Sequence, residues 1–471
     1  MPILPIDTGR YCSPEMREIF DDEGKLQRLL DVEAALAWAH AQVGNIPRKN
    51  AEKIVSVASL KYVKLSRVKE IEDEIKHDIM SVVRALSEVC GPSGAYVHLG
   101  ATSNDITDTA MALQLKDAVG IIGEKLDVLE EVLLQRSSEE INTLIIGRTH
   151  GQHAIPTTLG FKFAVWLREV ARHIERLDEC SKRVLVGKMS GAVGTQAGLG
   201  VNAVKIQELT MEKLGICAAD ISTQIIQRDV HAELICVIAN IASSLDKFAL
   251  EVRELQRPEI AELAEPFKMD KQVGSSTMPQ KRNPETCEKV CGLAKILRSL
   301  TIPALENVPT WHERDLTQSS VERFIIPEAC ILLDYMLSIM TWVLLGLHID
   351  RKRMRANINV TQGRVMSENI MLTLARKGMG RQEAHSLIRE ISLHSELKQQ
   401  SFKEALKENA TIRKILSEED IDVVLTPEKY LGTAVIQVKN MVKKTEEKRK
   451  ARAFLLSSSR KTRQEDKYSR Y

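Results

Sequence analysis

The stretch from Leu234 to Leu255 constrains the fold more than any other. Leu234, Ile238, Ile241, Leu245, Phe248, Val252 and Leu255 recur at alternating spacings of four and three. On an α-helix this lines seven apolar side chains along one stripe over about six turns. Ile235, Ala242 and Ala249 widen the stripe. Phe163, Leu167, Val170, Ile174, Leu177 and Val184 make a second one, interrupted by Ser181. A helix roughly 30–40 Å long, at the standard rise per residue, cannot bury such a seam by itself. It must pack beside others, so the spacing predicts an all-α protein built around a central bundle of long helices. No segment alternates apolar and polar residues long enough to predict a substantial sheet. Aromatic residues are only 4% of the chain, while Ala, Leu, Glu and Lys are plentiful, which also favours helix over strand.

Four segments follow along the chain. Residues 1–103 carry shorter helical patterns, broken by "GNIP" and "CGPSGAYVHLGATS". Residues 104–350 hold the long helices and the loop "GKMSGAVGTQAGLG". Residues 351–444 are polar and helical in pattern. Residues 445–471 form a basic tail, expected to be flexible. From Lys443 to Arg470 there are eleven Lys/Arg and four Asp/Glu, a charge of +7; the whole chain carries +2, so the rest is about −5. Such a tail fits either an anionic partner or a solvated end. The solvated end is expected, and nucleic acid is not an expected partner.

The most apolar stretch, "YMLSIMTWVLLGLHI" over Tyr335–Ile349, is too short for a membrane span and reads as a helix buried on all sides. The N-terminus "MPILPIDTGRY" has no basic region before an apolar run, so no signal peptide is expected. Eight cysteines without paired metal spacing suit a reduced, cytoplasmic protein with buried thiols, Cys287 and Cys291 among them.

Polar clusters interrupt the helical patterns. There are only eleven histidines, and four of them mark such clusters: His77 in "EIKHDIM", His98 in "YVHLGATSND", and His150 with His153 in "GRTHGQHAIP". Lys76, Thr102 with Ser103, and Arg148 with Thr149 add groups suited to anions. His150 and His153 could share a metal on a helix, but Gly147, Gly151 and Pro156 argue for a loop, and no metal is expected. "WHERDLTQSSVER" (Trp311–Arg323) reads in two ways. As a solvated helix face it pairs Glu313 and Glu322 with nearby arginines. As a site it presents Arg314, Ser319 and Arg323 to an anion such as phosphate. The loop at 187–200 has neither G-x-x-x-x-G-K-[ST] nor G-x-G-x-x-G, so it is no nucleotide phosphate loop. "GSSTMPQKRNP" (274–284) starts on a glycine and holds two prolines that exclude a regular helix. It reads either as a connector with a serine helix cap or as an anion-binding loop with Lys281 beside exposed N–H groups.

Taken together, these segments resemble a known family. "GSSTMPQKRNP" is similar to the signature loop of the fumarase/aspartase superfamily, whose members release fumarate from succinyl compounds. Within it, "GRTHGQHAIPTTLG", "KHD", "HLGATSND", "SGAVGT" and "WHERD…SSVER" resemble the adenylosuccinate lyase family. The matches span Arg10 to Arg323, and the helical zones follow the family plan to about residue 440. The resemblance implies three helical domains and a homotetramer whose central helices form a shared core, with active sites shared between chains. It implies small-molecule purine nucleotide substrates, namely adenylosuccinate (giving AMP) and SAICAR (giving AICAR), and no cofactor, metal or membrane.

The resemblance also assigns roles. Ser275 matches the general base and His150 the general acid, with His77 and Glu288 supporting them. Lys281, Asn283, Thr102 and Ser103 match groups that hold the succinyl carboxylates. Arg10 and Tyr11 match a nucleotide-binding pair, and Gln224 a substrate-amide contact. Arg314, Ser319 and Arg323 match nucleotide and phosphate contacts. Lys76 and Asp78 flank His77 in the same match and are assigned to substrate binding, and His98 lies in a segment that lines the site. Gln280 stands where many members carry His or Tyr. Carboxymuconate cycloisomerases share "RTH" and a similar loop but lack the expected phosphate contacts, and a helical scaffold or nucleic-acid binder leaves the His and Ser loops unexplained.

Overall fold

The computed structural model describes residues 4–267 and 275–468, with side chains through Phe454. About 70% of the chain is helix. Among the described residues, β-structure is confined to three two-stranded pieces. The all-α expectation holds. The helices that carry the argument are α1 (Asp22–Gln42), α2 (Asp78–Cys90), α3 (Ser103–Glu139), α4 (Leu159–Val184), α5 (Asp229–Gln256), α6 (Glu285–Ser299), α7 (Thr317–Leu345) and α8 (Ala434–Tyr468).

Both apolar stripes are buried as their spacing demands. On α5 every one of the seven stripe residues is 3% exposed or less, and Ile235, Ala242 and Ala249 are buried with them. On α4 the six stripe residues are 5% exposed or less. Ser181 interrupts that stripe without a buried, unpaired hydroxyl, because its Oγ donates to the Leu177 carbonyl one turn back (2.6 Å).

The chain forms two compact units. The first comprises Met1–Asp127, Arg172–Lys247 and Lys289–Met340. Its core gathers Leu26, Leu30 and Leu36 of α1, Ile54, Val82 and Leu86, and Met189, Ile206 and Met211. Asp21 caps α1 by accepting the Gly24 N–H (2.7 Å). Thr102 and Asp105 begin α3 in the manner of a capping box: the Asp105 carboxylate accepts the Thr102 N–H at 2.9 Å. Gly100 sits at φ +72°, and a Cβ there would lie 2.6 Å from the Gly198 carbonyl oxygen. Only glycine lets the "HLGATS" turn approach the 187–200 loop this closely.

The second unit comprises Val128–Ala171, Phe248–Glu288 and Thr341–Tyr471. One of its cores packs Ile370, Leu374, Ile388, Phe402, Leu406 and Ile412. In another part of the unit, Trp166 stacks on Phe248 with ring centroids 4.7 Å apart.

Three expectations are corrected here. "GRTHGQHAIP" is not an irregular loop. It is a hairpin of β1 (Leu144–Thr149) and β2 (Gln152–Thr158), antiparallel, with Thr149 opposite Gln152 and an irregularity between Ile146 and Arg148. Its two-residue turn is His150–Gly151, both at positive φ (52° and 73°), the conformation a tight hairpin turn requires. Gly and Pro were read as loop signals, whereas here they serve a turn and an irregular ladder.

The apolar run at Tyr335–Ile349 is not one helix buried on all sides. α7 ends at Leu345, Trp342 and Leu345 are 38% and 52% exposed, and His348–Ile349 pairs with Leu263–Ala264 as strand. α7 is long and apolar enough to cross a membrane by composition, yet 67% of its most apolar window is buried inside the protein. Finally, the chain continues as α8 across residue 445, where the charge pattern suggested the start of a flexible tail. Arg449 and Arg452 both pair with Glu130, a carboxylate only 1% exposed. Charge counting along the tail cannot see a buried partner some three hundred residues earlier.

The ring stack yields a prediction. Phe248→Ala removes a side chain that is 0% exposed and takes away the ring stacked on Trp166, leaving it the edge contact with Phe163. It is expected to cost about 3–5 kcal/mol, read as a lower urea midpoint by circular dichroism.

Candidate active site

Five of the expected substrate contacts line one cavity of about 90 Å³ in the first unit. Asp78 comes from the start of α2, Ser103 from the start of α3, Arg314 from the turn before α7, and Ser319 and Arg323 from α7 itself. The helical reading of Trp311–Arg323 fails for its first half, because α7 begins only at Thr317. Asp315 shapes the preceding turn by accepting the Trp311 and Thr317 N–H groups (2.9 and 2.8 Å). Nor does Glu322 pair with a neighbouring arginine. Arg323 instead reaches Asp78 (2.8 Å). Burial opposes ionisation of Asp78, but the Ile79 N–H and the Arg323 guanidinium outweigh it and hold its carboxyl below the usual range. Arg314 donates to the Gln224 amide oxygen (3.0 Å), and Gln224 donates to the Ala192 carbonyl (2.8 Å). Gln224 thus orients Arg314.

The floor of this cavity is a buried ionic network that sequence patterns do not reveal. Arg228 makes two bonds of 3.0 Å to Asp108 and meets Glu322 at 2.7 Å. His231 contacts the same Glu322 oxygen (3.0 Å). Burial disfavours the Asp108 carboxylate, yet Arg228 and the Ile226 N–H pull its pKa down to about 2. Arg228 is engaged by Asp108 and Glu322, and three further cations, Lys25, Arg314 and Arg323, line the cavity with Asp78. Burial lowers the pKa of Lys25, and the Arg323 charge lowers it further. Lys25 has no local motif around it, and sequence reasoning missed it. A cavity with this charge and the hydroxyls of Ser103 and Ser319 suits an anionic group such as a phosphate.

Other expected residues of this unit stand outside the cavity lining. His77 caps α2, its Nδ1 accepting the Met80 N–H (3.3 Å), which leaves Nε2 as the N–H donor. Lys76 has φ 55° and pairs with Asp73 (3.6 Å) at the surface. His98, at φ 63°, bonds the buried Glu33 through both its Nδ1 (2.6 Å) and its backbone N–H (3.1 Å). Burial works against the charged ring, but Glu33 prevails and raises its pKa. Thr102 caps α3. The Arg10 guanidinium lies 5.9 Å from the Tyr11 ring centroid, and Tyr11 packs at 5.5 Å on Tyr335. The N–H groups of Ser190 and Gly191 in the Gly-rich loop are taken by Asp105, at 2.8 and 3.1 Å, so they are engaged within the protein.

The remaining expected residues belong to the second unit. His150 is exposed at the hairpin tip. Arg148 beside it is no free anion site, because Glu262, 0% exposed, takes its guanidinium in two bonds of 2.8 Å. Asn357 donates to the same carboxylate (2.8 Å). Gly274 lies outside the described residues. Ser275 Oγ accepts the N–H groups of Thr277 (3.3 Å) and Met278 (3.0 Å). Lys281 and Glu288 are exposed and Asn283 is half-buried. Cys287 and Cys291 are buried on α6, as their spacing suggested. Among the described residues no group of three His, Cys, Asp or Glu is placed to hold a metal ion.

Comparison with known proteins places the chain. A family model described as "Lyase" matches residues 9–297, and one described as "Adenylosuccinate lyase C-terminus" matches residues 363–441. The structure is similar to a fumarate lyase from Mesorhizobium sp. BNC1, with a TM-score of 0.85 and 31% identity over 92% of this chain and 98% of that one. It is also similar to a 3-carboxy-cis,cis-muconate lactonizing enzyme from Pseudomonas putida, with a TM-score of 0.87 and 33% identity over 94% and 99%. The chain belongs to this lyase family and is a carbon–nitrogen lyase. The adenylosuccinate lyase of Pyrococcus horikoshii is 56% identical over 95% of this chain and 99% of its own length. That of Methanocaldococcus jannaschii is 46% identical over 95% and 97%. Within the lyases, therefore, the chain belongs to the adenylosuccinate lyase family.

The network under the cavity makes a pH-dependent prediction. The folded pKa of Asp108 is depressed from 3.8 to about 2, so its contribution to stability is present above pH 4 and is lost as pH falls toward 2. Asp108→Asn leaves Arg228 short of a buried partner and is expected to cost about 3–5 kcal/mol near neutrality. The gap between variant and wild type should narrow as pH falls from 4 to 2, measured by urea unfolding at each pH.

Proposed function

We propose that this chain eliminates fumarate from adenylosuccinate, leaving AMP, and from SAICAR, leaving AICAR. The observation that carries this reading is the cavity with Arg314, Arg323, Lys25 and two serine hydroxyls, a setting for a nucleotide phosphate. The lactonizing-enzyme alternative does not require such a pocket. The identity of 46–56% to curated adenylosuccinate lyases also supports the purine substrates.

In this reading Ser275 removes the proton from the carbon beside one succinyl carboxylate. The electron pair moves into that carboxylate and then returns to form the C=C bond of fumarate as the C–N bond breaks, and His150 protonates the departing nitrogen. A serine alkoxide needs donors to stabilise it, and the Thr277 and Met278 N–H groups at Ser275 Oγ are suited to that task. Lys281, Asn283, Thr102 and Ser103 hold the carboxylates, where charge develops. His77, with Glu288, supports the acid and base through its Nε2–H. Arg10, Tyr11, Lys76, Asp78, His98 and Gln224 complete the substrate contacts, and Arg314, Ser319 and Arg323 take the phosphate. The chemistry breaks one C–H and one C–N bond and forms a C=C and an N–H bond with no net oxidation or reduction, so no cofactor is invoked.

We further propose a cytoplasmic homotetramer of three-domain chains, with boundaries near residues 103 and 350, in which each site draws groups from three chains. The exposed Val165, Leu250 and Leu345 on long helices (50%, 46% and 52%) supply apolar surface for such an assembly. Ser275→Ala and His150→Ala should each lower fumarate release from adenylosuccinate by at least about 100-fold without changing the circular dichroism spectrum. Near-normal turnover in either variant removes that residue from its role. Mixing the two inactive variants should restore part of the activity, and no recovery after proven subunit exchange would count against a shared site.

A further inference from the structure

Two buried amides line the phosphate-suited cavity with polar atoms to spare. Gln318 is 1% exposed, and neither its Nε2 nor its Oε1 has a hydrogen-bond partner among the described residues. Asn104, 4% exposed, donates its Nδ2 to Asp108 (3.1 Å) and leaves its Oδ1 unmatched. Both line the same cavity as Lys25, Arg314, Ser319 and Arg323. Buried polar atoms are nearly always paired, so two such amides in one cavity mark a binding surface. Neither residue has a role in the reaction above.

Their chemistry states what they await. Two open carbonyl oxygens repel phosphoryl oxygens and call for O–H or N–H donors. One open N–H₂ group calls for an acceptor. A hydroxyl group offers both at a single atom. The neighbouring cations call for an anion. One ligand class meets every demand together: a phosphate ester on a sugar with free hydroxyls. We infer that Gln318 and Asn104 are specificity-determining residues that read the sugar hydroxyls of the nucleotide while the cations hold its phosphate. This rests on the proposed reaction only in taking a purine ribonucleotide as the ligand.

Calorimetric titration of the full-length protein with AMP, 2′-deoxy-AMP, 3′-deoxy-AMP and adenosine tests the assignment. Wild type should bind at least one deoxy analogue about tenfold more weakly than AMP, the scale of one net hydrogen bond. Gln318→Met, which keeps the volume and removes the amide, should weaken AMP by a similar factor and bind AMP and that analogue equally. It should still prefer AMP to adenosine, which reports an intact fold and phosphate site. Asn104→Ala gives a second reading at the opposite amide, with the same loss of discrimination expected. The inference is overturned if wild type binds AMP and both deoxy analogues alike, if both variants keep the wild-type ratios, or if AMP does not bind at all. AMP binding with the expected ratios but no fumarate release from adenylosuccinate would instead overturn the proposed reaction and leave the sugar contact standing.

Discussion

Two carboxylates one turn apart, Asp105 and Asp108, hold the first unit's cavity in shape. Both sit near the start of α3, and both are buried (0% and 5% exposed). A buried carboxylate is tolerable only when cations and N–H groups surround it, and each of these has recruited a full set. Asp105 takes Lys188 Nζ (2.5 Å) and the N–H groups of Thr102, Ser190 and Gly191. Asp108 takes Arg228, the Ile226 N–H (2.9 Å) and Asn104. The first set fixes the Gly-rich loop against the "HLGATS" turn. The second set fixes Arg228, and through Glu322 it fixes the α7 face that carries Ser319 and Arg323. Removing either carboxylate would leave an uncompensated buried cation, so the constraint is severe in both directions.

Unfavourable backbone conformations occur in both units. Eight non-glycine residues among those described have φ between 52° and 63°: Lys76, His98, His150, Gln196, Ala261, His312, Gln362 and Gln399. A non-glycine residue there costs roughly 1–2 kcal/mol. Such strain persists only where neighbours over-determine the conformation, and it concentrates at sites that use it. His98 shows the means: Glu33 grips both its ring and its backbone N–H. The hairpin around His150 does the same by geometry, since a two-residue turn cannot close without positive φ at its centre. Three of the eight, Lys76, His98 and His150, stand among the site residues singled out by sequence, and His312 is two positions from Arg314.

What was legible in the sequence was whatever local spacing encodes. The stripes of α4 and α5 were readable because a helix buries one face at a fixed period, and Leu234 to Leu255 obeys it without exception. The start of α3 was readable in principle, since Thr102 and Asp105 stand at capping-box spacing. Long-range pairs were not. Arg148 looked like an anion-binding group until Glu262, 114 residues away, proved to be its partner. Arg449 and Arg452 looked like a solvated tail until Glu130 met them. Lys25 and Gln318 carry no local signature, because their meaning comes from a cavity closed by segments far apart in the chain. The hairpin was misread for another reason: Gly and Pro signal a departure from regular structure, and only the paired register shows that here they serve a strand pair.

The loop containing Ser275 shows why two readings of one sequence need not compete. As a connector it needs a serine oxygen to take orphan N–H groups where the chain turns, and Thr277 and Met278 supply them. As a base the same oxygen needs donors that favour its anionic form. Two N–H groups aimed at one oxygen satisfy both demands, since any group that caps a turn by accepting hydrogen bonds is by that fact a better-stabilised anion. The difference between cap and catalyst lies in what approaches the oxygen from its remaining side. Under the proposed reaction that would be the carbon acid of a succinyl group, with the exposed Lys281 assigned to the carboxylate beside it. The proposed base role therefore asks for no change in the bonds that make Ser275 a turn residue.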